Sequence, residues 1–223
     1  MDLQQTIGNT VELSGISLMQ GEQVTIYFKP APSNHGIVFV RLDLPEKPQI
    51  KVTPESYSDK IAHCVSIEKD DVGVYCIEHV LSTLAGLGID NILIELDGSE
   101  PPATDGSTLQ FVQSINSAGI VTQDTPRKYL EISETIFINE MEKQVFMVPA
   151  DEFKVTFVYD HPNLPTQVET FVIDKETYEN EIAPSRTFCF AEEVEILKSQ
   201  GLGKGGSPDN VLILGQDNEI DLR

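Results

Sequence analysis

The order in which strand-type and helix-type apolar patterns follow one another constrains the fold of this chain most. Apolar and polar residues alternate over residues 24–28, which predicts a half-buried strand, and residues 36–44 predict its antiparallel return strand. Apolar residues then recur at helical spacing over residues 77–88, and residues 91–96 resume a strand pattern. A second amphipathic helix is predicted over residues 108–118. The first half therefore runs from strands to helix, strand and helix.

A similar order of patterns begins again after residues 121–128, a polar stretch that contains a proline. Strand-type, then helical, then strand-type segments occupy residues 129–138, 144–150, 153–160, 168–173, 174–183, 191–200 and 211–214. Arg223 is reached before any counterpart of the helix at 108–118. We predict an α+β fold of two topologically related α/β two-layer domains, residues 1–122 and 123–223, the second incomplete at its C-terminus.

The charge balance and the cysteine content exclude several classes of protein. The chain has 223 residues with a net charge of −21, from 15 basic and 36 acidic residues, so it lacks the positive field that nucleic-acid binding requires. It contains neither an apolar run of about 20 residues nor a secretory signal pattern, which argues against an integral membrane segment. Three cysteines without paired spacing do not suggest a disulfide framework, so we expect a cytoplasmic protein.

A carboxylate and an imidazole stand side by side, as Glu78 and His79, at the start of an otherwise apolar helix. One interpretation is structural, because a glutamate at a helix N-terminus interacts favourably with the helix dipole. The other is hydrolytic, since imidazole is a common zinc ligand and a neighbouring carboxylate can act as general base toward water. The pair alone leaves both interpretations open.

Five segments bear on this choice because they occur together and in order. They are GEQVTIYFKPAPSNHGIVFVRLD, IEHVLSTLAGLGIDNILIEL, EPPATDGST, SRTF at residues 185–188 and GLGKGGSPDN at residues 201–210. With them, almost the whole chain resembles the bacterial UDP-3-O-acyl-N-acetylglucosamine deacetylase family, the zinc hydrolases of lipid A biosynthesis. The resemblance implies two packed α+β domains of the ribosomal S5 domain 2-like type.

The resemblance also implies roles for particular residues. His79 would be a ligand of Zn²⁺, and Glu78 would be the general base for the water that attacks the acetamide of UDP-3-O-acyl-N-acetylglucosamine. Thr187 would stabilise the developing oxyanion. Phe188 would line the passage for the acyl chain, and Lys143 would lie near the diphosphate.

Two departures from the family pattern stand against these roles. None of the four histidines is followed four residues later by a carboxylate, whereas the family supplies its other zinc ligands from a helix with that spacing. The corresponding motif would lie beyond Arg223, so we expect a truncated chain with an incomplete zinc site. Met19 also occupies a position where the family usually has histidine, and a thioether cannot exchange protons.

Three hypotheses about function remain at this point. The first is the family's deacetylase, represented by a fragment. The second is a non-catalytic or split member that binds a nucleotide sugar or a partner chain. The third, an RNA-associated α+β module, conflicts with the negative charge. An unfinished second domain would expose apolar strand faces, so self-association is also expected.

Overall fold

The computed structural model describes residues 2–61, 63–141, 143–162 and 164–215. Its first part consists of strands and two helices, with one short 3₁₀ turn at Pro54–Ser56. In chain order the elements are β1 Leu3–Ile7, β2 Val11–Ile16, β3 Gln23–Pro30, β4 Ile37–Arg41, β5 Gln49–Lys51, β6 Tyr57–Ser58, β7 Ser66–Lys69, β8 Val72–Val74, α1 Glu78–Gly86, β9 Ile92–Leu96, α2 Leu109–Ala118 and β10 Ile120–Pro126.

A five-stranded sheet in the order β2-β3-β9-β4-β5 forms the centre of this part. Strand β9 lies between β3 and β4, antiparallel to the first and parallel to the second. The prediction that residues 36–44 pair directly with β3 is therefore wrong, although the two strands do run in opposite directions. Residues 31–36 form a loop longer than the two-residue turns that fix direct pairing, so β9 can be inserted between them.

The two predicted helices cover one face of this sheet and complete its core. Helix α1 buries Val80 and Leu84, and α2 buries Phe111 and Ile115. The ring of Phe111 packs edge-on against Phe28 of β3, with ring centroids 6.3 Å apart. Burying a side chain of this size contributes about 1.5–3 kcal/mol to the free energy of unfolding. The core therefore fixes the direction of α1, whose first turn carries the candidate site.

The second part of the chain has longer and more exposed hairpins. Its elements are β11 Ile136–Glu140, β12 Lys143–Met147, β13 Lys154–His161, β14 Leu164–Val172, α3 Lys175–Thr177, a π-helical turn Tyr178–Ile182, β15 Phe188–Phe190, α4 Ala191–Ser199 and β16 Leu212–Leu214. The hairpins β11–β12 and β13–β14 are antiparallel, and β15 pairs with β16 in parallel. Most of the strand and helix segments predicted here are thus found, but of the strand predicted over residues 129–138 only the end, from Ile136, is in β11.

The mixture of separate sheets and few helices confirms an α+β fold at this coarse level. Strand β10 pairs with β1 as far as Pro126, so the predicted boundary between residues 122 and 123 falls within a strand. The division into two related domains stays a prediction. Among the described residues no helix is both long enough and apolar enough to span a membrane.

Candidate functional site

The carboxylate and imidazole pair lies at the first turn of α1. The Oε2 atom of Glu78 accepts a hydrogen bond of 2.9 Å from the backbone N–H of Val65. The backbone N–H of Ile77 donates to the carbonyl oxygen of Val65 at 3.1 Å. His79 is half-buried, and its ring has no hydrogen-bond partner within the described part of the chain. The segment before β7 thus holds the Glu78 carboxylate.

A second carboxyl group, that of Glu100, is buried close to this pair. Its exposed fraction is 1%, and its Oε2 atom accepts a hydrogen bond of 2.9 Å from the backbone N–H of Met19. Its Oε1 atom has no partner among the described residues. Burial raises the pKa of Glu100, and the negative charges of Glu22 and Glu78 raise it further. Glu100 therefore interacts electrostatically with Glu78 and accepts a hydrogen bond from the backbone of Met19.

The segment that contains Thr187 is attached to the turn formed by Asp105 and Gly106. The Nε atom of Arg186 donates to the carbonyl oxygen of Asp105 at 2.7 Å, and the N–H of Thr187 donates to that of Gly106 at 2.8 Å. Gly106 has φ +85°, and a Cβ there would lie 2.0 Å from the carbonyl oxygen of Asn210. Only glycine allows these three segments to meet so closely.

The side chain of Asp105 stabilises this turn. Burial would raise its pKa, but hydrogen bonds from the hydroxyl and N–H groups of Ser107, together with the charge of Arg186, hold the pKa below its ordinary value. Asp105 is therefore a carboxylate near neutral pH and accepts the hydrogen bonds that keep the turn closed.

A cavity of about 390 Å³ lies where these segments meet. Apolar side chains line most of it, including Leu18, Phe188, Val194, Leu197, Val211 and Ile213. Met19, His63 and Thr187 also line it. The hydroxyl of Thr187 makes no hydrogen bond to another described residue, so it can donate to a ligand in the cavity. The volume falls in the range of small-molecule sites.

Glu78 lies beside this cavity rather than in its wall. The segment at residues 63–65 both donates to the Glu78 carboxylate and lines the cavity through His63. The segment at residues 18–19 lines the cavity and is held by Glu100, whose ionisation responds to Glu78. Two lining segments thus connect the start of α1 to the cavity.

The remaining candidate residues lie in different surroundings. The ring of Phe188 is 42% exposed and packs edge-on against Tyr159 of β13, with centroids 5.5 Å apart, so it joins the cavity wall to the hairpin. Lys143 begins β12 opposite Glu140 and is exposed. Lys143 is not among the residues that line the cavity. The structure therefore groups Thr187 and Phe188 in the cavity wall, whereas Glu78, His79 and Lys143 are not among the lining residues.

Sequence reasoning missed two parts of this site. Glu100 has no role in the expectations above, although it opens the EPPATDGST segment that was singled out. The glycine-rich loop was recognised only as a motif, whereas the N–H of Gly205 donates to the carbonyl oxygen of Leu18 at 3.0 Å. A Cβ at Gly205 would lie 2.0 Å from the carbonyl oxygen of Ser17. This close approach, for which the glycines were the only signal, forms one wall of the cavity.

The described residues do not form a complete zinc site. No group of three His, Cys, Asp or Glu side chains within residues 2–61, 63–141, 143–162 and 164–215 is arranged to hold a metal ion. A catalytic zinc usually takes three protein ligands, and His79 would supply one of them. The other ligands were expected beyond Arg223, and the last stretch before it, residues 216–223, lies outside the described residues.

A carboxylate and an imidazole at the start of α1, with the carboxylate held by a segment that also lines an apolar cavity, are groups of the kind that hydrolases use. The sequence model of UDP-3-O-acyl N-acetylglycosamine deacetylase (LpxC) matches residues 4–223. The chain belongs to this family.

Named relatives agree with that assignment. A UDP-3-O-acyl-N-acetylglucosamine deacetylase of Bdellovibrio bacteriovorus is 40% identical over 223 residues, which cover 99% of this chain and 74% of the relative. The deacetylase of Stenotrophomonas maltophilia is 37% identical, over 99% of this chain and 75% of the relative. A bifunctional enzyme LpxC/FabZ of Chlorobaculum tepidum is 43% identical, over 98% of this chain and 47% of the relative.

Proposed function

We propose that the protein is a cytoplasmic enzyme of lipid A biosynthesis that removes the acetyl group from UDP-3-O-acyl-N-acetylglucosamine. The observation that carries this proposal is the match to the deacetylase family over residues 4–223. The candidate site supports it, because groups suited to amide hydrolysis occur beside an apolar cavity.

Glu78 acts as the general base in this proposal. Its Oε2 atom is held by the N–H of Val65 at 2.9 Å, while no hydrogen bond to Oε1 is found within the described residues. A carboxylate fixed through one oxygen can orient a water with the other and accept its proton as the oxygen attacks the acetamide carbon. The proton is then delivered to the departing nitrogen, so the products are acetate and a free amine.

Thr187 stabilises the oxyanion that forms during this attack. Its backbone is fixed through the bond to Gly106, and its hydroxyl has no hydrogen-bond partner among the described residues and can donate to the substrate. A donor held in place before the reaction favours the transition state, in which negative charge develops on the carbonyl oxygen.

The cavity accommodates the acyl chain of the substrate. Its lining is mainly apolar, so burial of methylene groups there is favourable by about 0.8 kcal/mol each. Phe188 contributes to this wall. Lys143, exposed on the β11–β12 hairpin, is proposed to interact with the diphosphate.

Zn²⁺ is the metal of the family, and we propose His79 as one of its ligands. Because the described residues supply no complete ligand set, no catalytic step is assigned to the metal.

The test is acetate release from the substrate by the protein expressed from its complete reading frame with Zn²⁺ supplied. Thr187→Val should lower kcat by roughly 10²–10³-fold with little change in KM, because one oxyanion donor is lost. Thr187→Ser keeps a hydroxyl and should retain most of the rate. Absence of acetate release by the unmodified protein, or a Thr187→Val variant as fast as Thr187→Ser, would contradict the proposal.

A further inference from the structure

Two of the three cysteines are brought together beside the start of α1. Cys64 lies just before β7 and Cys76 just after β8, and these strands pair antiparallel. The bond from the N–H of Ile77 to the carbonyl oxygen of Val65 continues this pairing to the two cysteines. Cys76 has φ +56°, a left-handed conformation that is uncommon for a residue with a side chain. In this conformation the thiol of Cys76 is close enough to that of Cys64 for the two groups to influence each other's ionisation.

The surroundings of Cys64 favour its thiolate. The hydrogen bond from Cys76 and a contact of 3.3 Å with the Ser66 hydroxyl lower the pKa of Cys64 to about 6, although the charge of Glu78 opposes this. The same interaction raises the pKa of Cys76, so the pair retains one proton when Cys64 ionises. Both residues are half-buried rather than enclosed in the core.

We propose that Cys64 and Cys76 form a reactive dithiol that an external disulfide converts into an intramolecular disulfide. The Cys64 thiolate attacks one sulfur of the external disulfide and releases its other half as a thiolate. Cys76 then loses its proton to solvent and attacks the Cys64 sulfur, which releases the second half. The two cysteines lose two electrons and two protons in total, and the external disulfide is reduced to two thiols.

The location of this dithiol gives the disulfide a structural consequence. It would join the segment whose Val65 N–H holds the Glu78 carboxylate to the segment that leads into α1. The dithiol chemistry does not rest on the proposed deacetylase function, because it follows from the cysteines alone. Cys189, which is also free, lies in β15 and has a pKa raised by burial and by the charge of Glu193. It serves as an internal reference for an unpaired thiol.

The experiment treats the reduced protein with glutathione disulfide, blocks remaining thiols with iodoacetamide and maps the peptides by mass spectrometry. We expect loss of two alkylatable thiols and a cross-link between the Cys64 and Cys76 peptides, while Cys189 stays alkylatable. The Cys189→Ser variant should form the same cross-link. The Cys76→Ser variant should stop with glutathione on Cys64.

Three results would overturn the proposal, and the first two need no variant. One is glutathione that persists on Cys64 in the unmodified protein without a cross-link. Another is a cross-link that includes Cys189. The third is equal labelling of Cys64 and Cys189 by glutathione.

Discussion

Three acidic groups lie close enough for their charges to interact: the carboxyls of Glu78 and Glu100 and the thiol of Cys64. The charge of Glu78 raises the pKa of both of the others. Glu100 has little access to solvent, whereas Cys64 has hydrogen-bond partners that stabilise its ionised form. The pKa of Glu100 is therefore raised and that of Cys64 is lowered within one small region, as often occurs at functional sites.

The low pKa of Cys64 predicts the pH dependence of its alkylation. Only the thiolate reacts, so the rate of iodoacetamide labelling at Cys64 should reach half its maximum near pH 6, the pKa that its partners set. Labelling of Cys189 should still be rising above pH 8.5, roughly the ordinary thiol pKa. Cys76→Ala removes the main partner and should move the Cys64 profile to higher pH. A Cys64 profile that coincides with that of Cys189 would refute the assignment.

The raised pKa of Glu100 predicts a pH-dependent effect on stability. Because the folded-state pKa lies above the unfolded one, the carboxyl favours folding below the unfolded pKa, and this contribution is lost as pH rises through the folded pKa. Glu100→Gln cannot ionise, so it avoids this loss, although its amide N–H group takes the unpartnered position of Oε1. At neutral pH we expect it to raise the free energy of unfolding by about 1 kcal/mol relative to the parent.

Urea unfolding at several pH values measures this difference. The advantage of Glu100→Gln should shrink toward pH 4, where the parent carboxyl is protonated. The exposed Glu131→Gln is the matched control and should change stability by no more than about 0.5 kcal/mol. If the stability of Glu100→Gln relative to the parent did not vary with pH, the ionisation of Glu100 would not destabilise the parent protein, contrary to this prediction.

Packing between α1 and the π-helical turn joins the two parts of the chain. Tyr178 is 2% exposed, and its hydroxyl contacts those of Ser82 at 2.9 Å and Thr108 at 3.1 Å. A Cβ at Gly86 would lie 2.1 Å from the ring of Tyr178. Glycine at the last residue of α1 is therefore required by the ring and not by the helix.

This contact predicts that the effect of Gly86→Ala on the free energy of unfolding changes when Tyr178 is replaced by alanine. Gly86→Ala alone should lower the free energy of unfolding by about 1–3 kcal/mol, because the methyl group overpacks against the ring. With Tyr178→Ala already present, the same change should be neutral or stabilising by up to about 1 kcal/mol, since alanine is the better helix former. Thermal unfolding of the four proteins completes the cycle. Equal effects in both backgrounds would contradict the packing described.

The elements themselves could be predicted from local patterns, whereas their pairing could not. The start of α1 and the bounds of α2 follow from apolar spacing and from glycines at their ends. The insertion of β9 between β3 and β4 depends on contacts far apart in sequence, which local periodicity does not encode. The meeting of Cys64 and Cys76 depends likewise on the β7–β8 pairing and on one left-handed residue.

The candidate site was also predictable only in part, because local motifs can be recognised in the sequence and the contacts between them cannot. The motifs around Glu78 and Thr187 could be recognised as segments, and the distances that join them could not. The carboxyl of Glu100 is important because its burial leaves one oxygen unpartnered, a property of the folded chain. The catalytic roles stay predictions.

Across the whole molecule, exposed apolar hairpins coexist with a net charge of −21. Phe137 and Phe146 stack on β11–β12 with centroids 4.4 Å apart and are 52% and 64% exposed, and Phe157 on β13 is 64% exposed. Apolar surface of this kind promotes contact between molecules, while the shared negative charge opposes it. The balance should depend on salt, because screening weakens the repulsion.

We therefore expect the 223-residue protein to self-associate, and more strongly at higher salt. Sedimentation velocity over a range of concentrations measures this. The double change Phe137→Thr and Phe146→Thr keeps strand-forming residues but removes the aromatic surface, so it should weaken association. Val121→Thr, at a residue of β10 that is 44% exposed, is the control and should have little effect. A protein that stays monomeric at all concentrations and salt levels would refute this expectation.

The most direct measurement for the proposed hydrolase is acetate release by the Glu78→Gln variant of the protein from its complete reading frame. The substitution keeps the shape of the side chain, and the amide oxygen can still accept the bond from Val65, but proton acceptance is lost. We expect kcat to fall by roughly 10²–10⁴-fold with an unchanged unfolding transition. The same change at exposed Glu12 on β2 should leave the rate unaltered. A Glu78→Gln protein that releases acetate as fast as Glu12→Gln would contradict the central claim that Glu78 is the base.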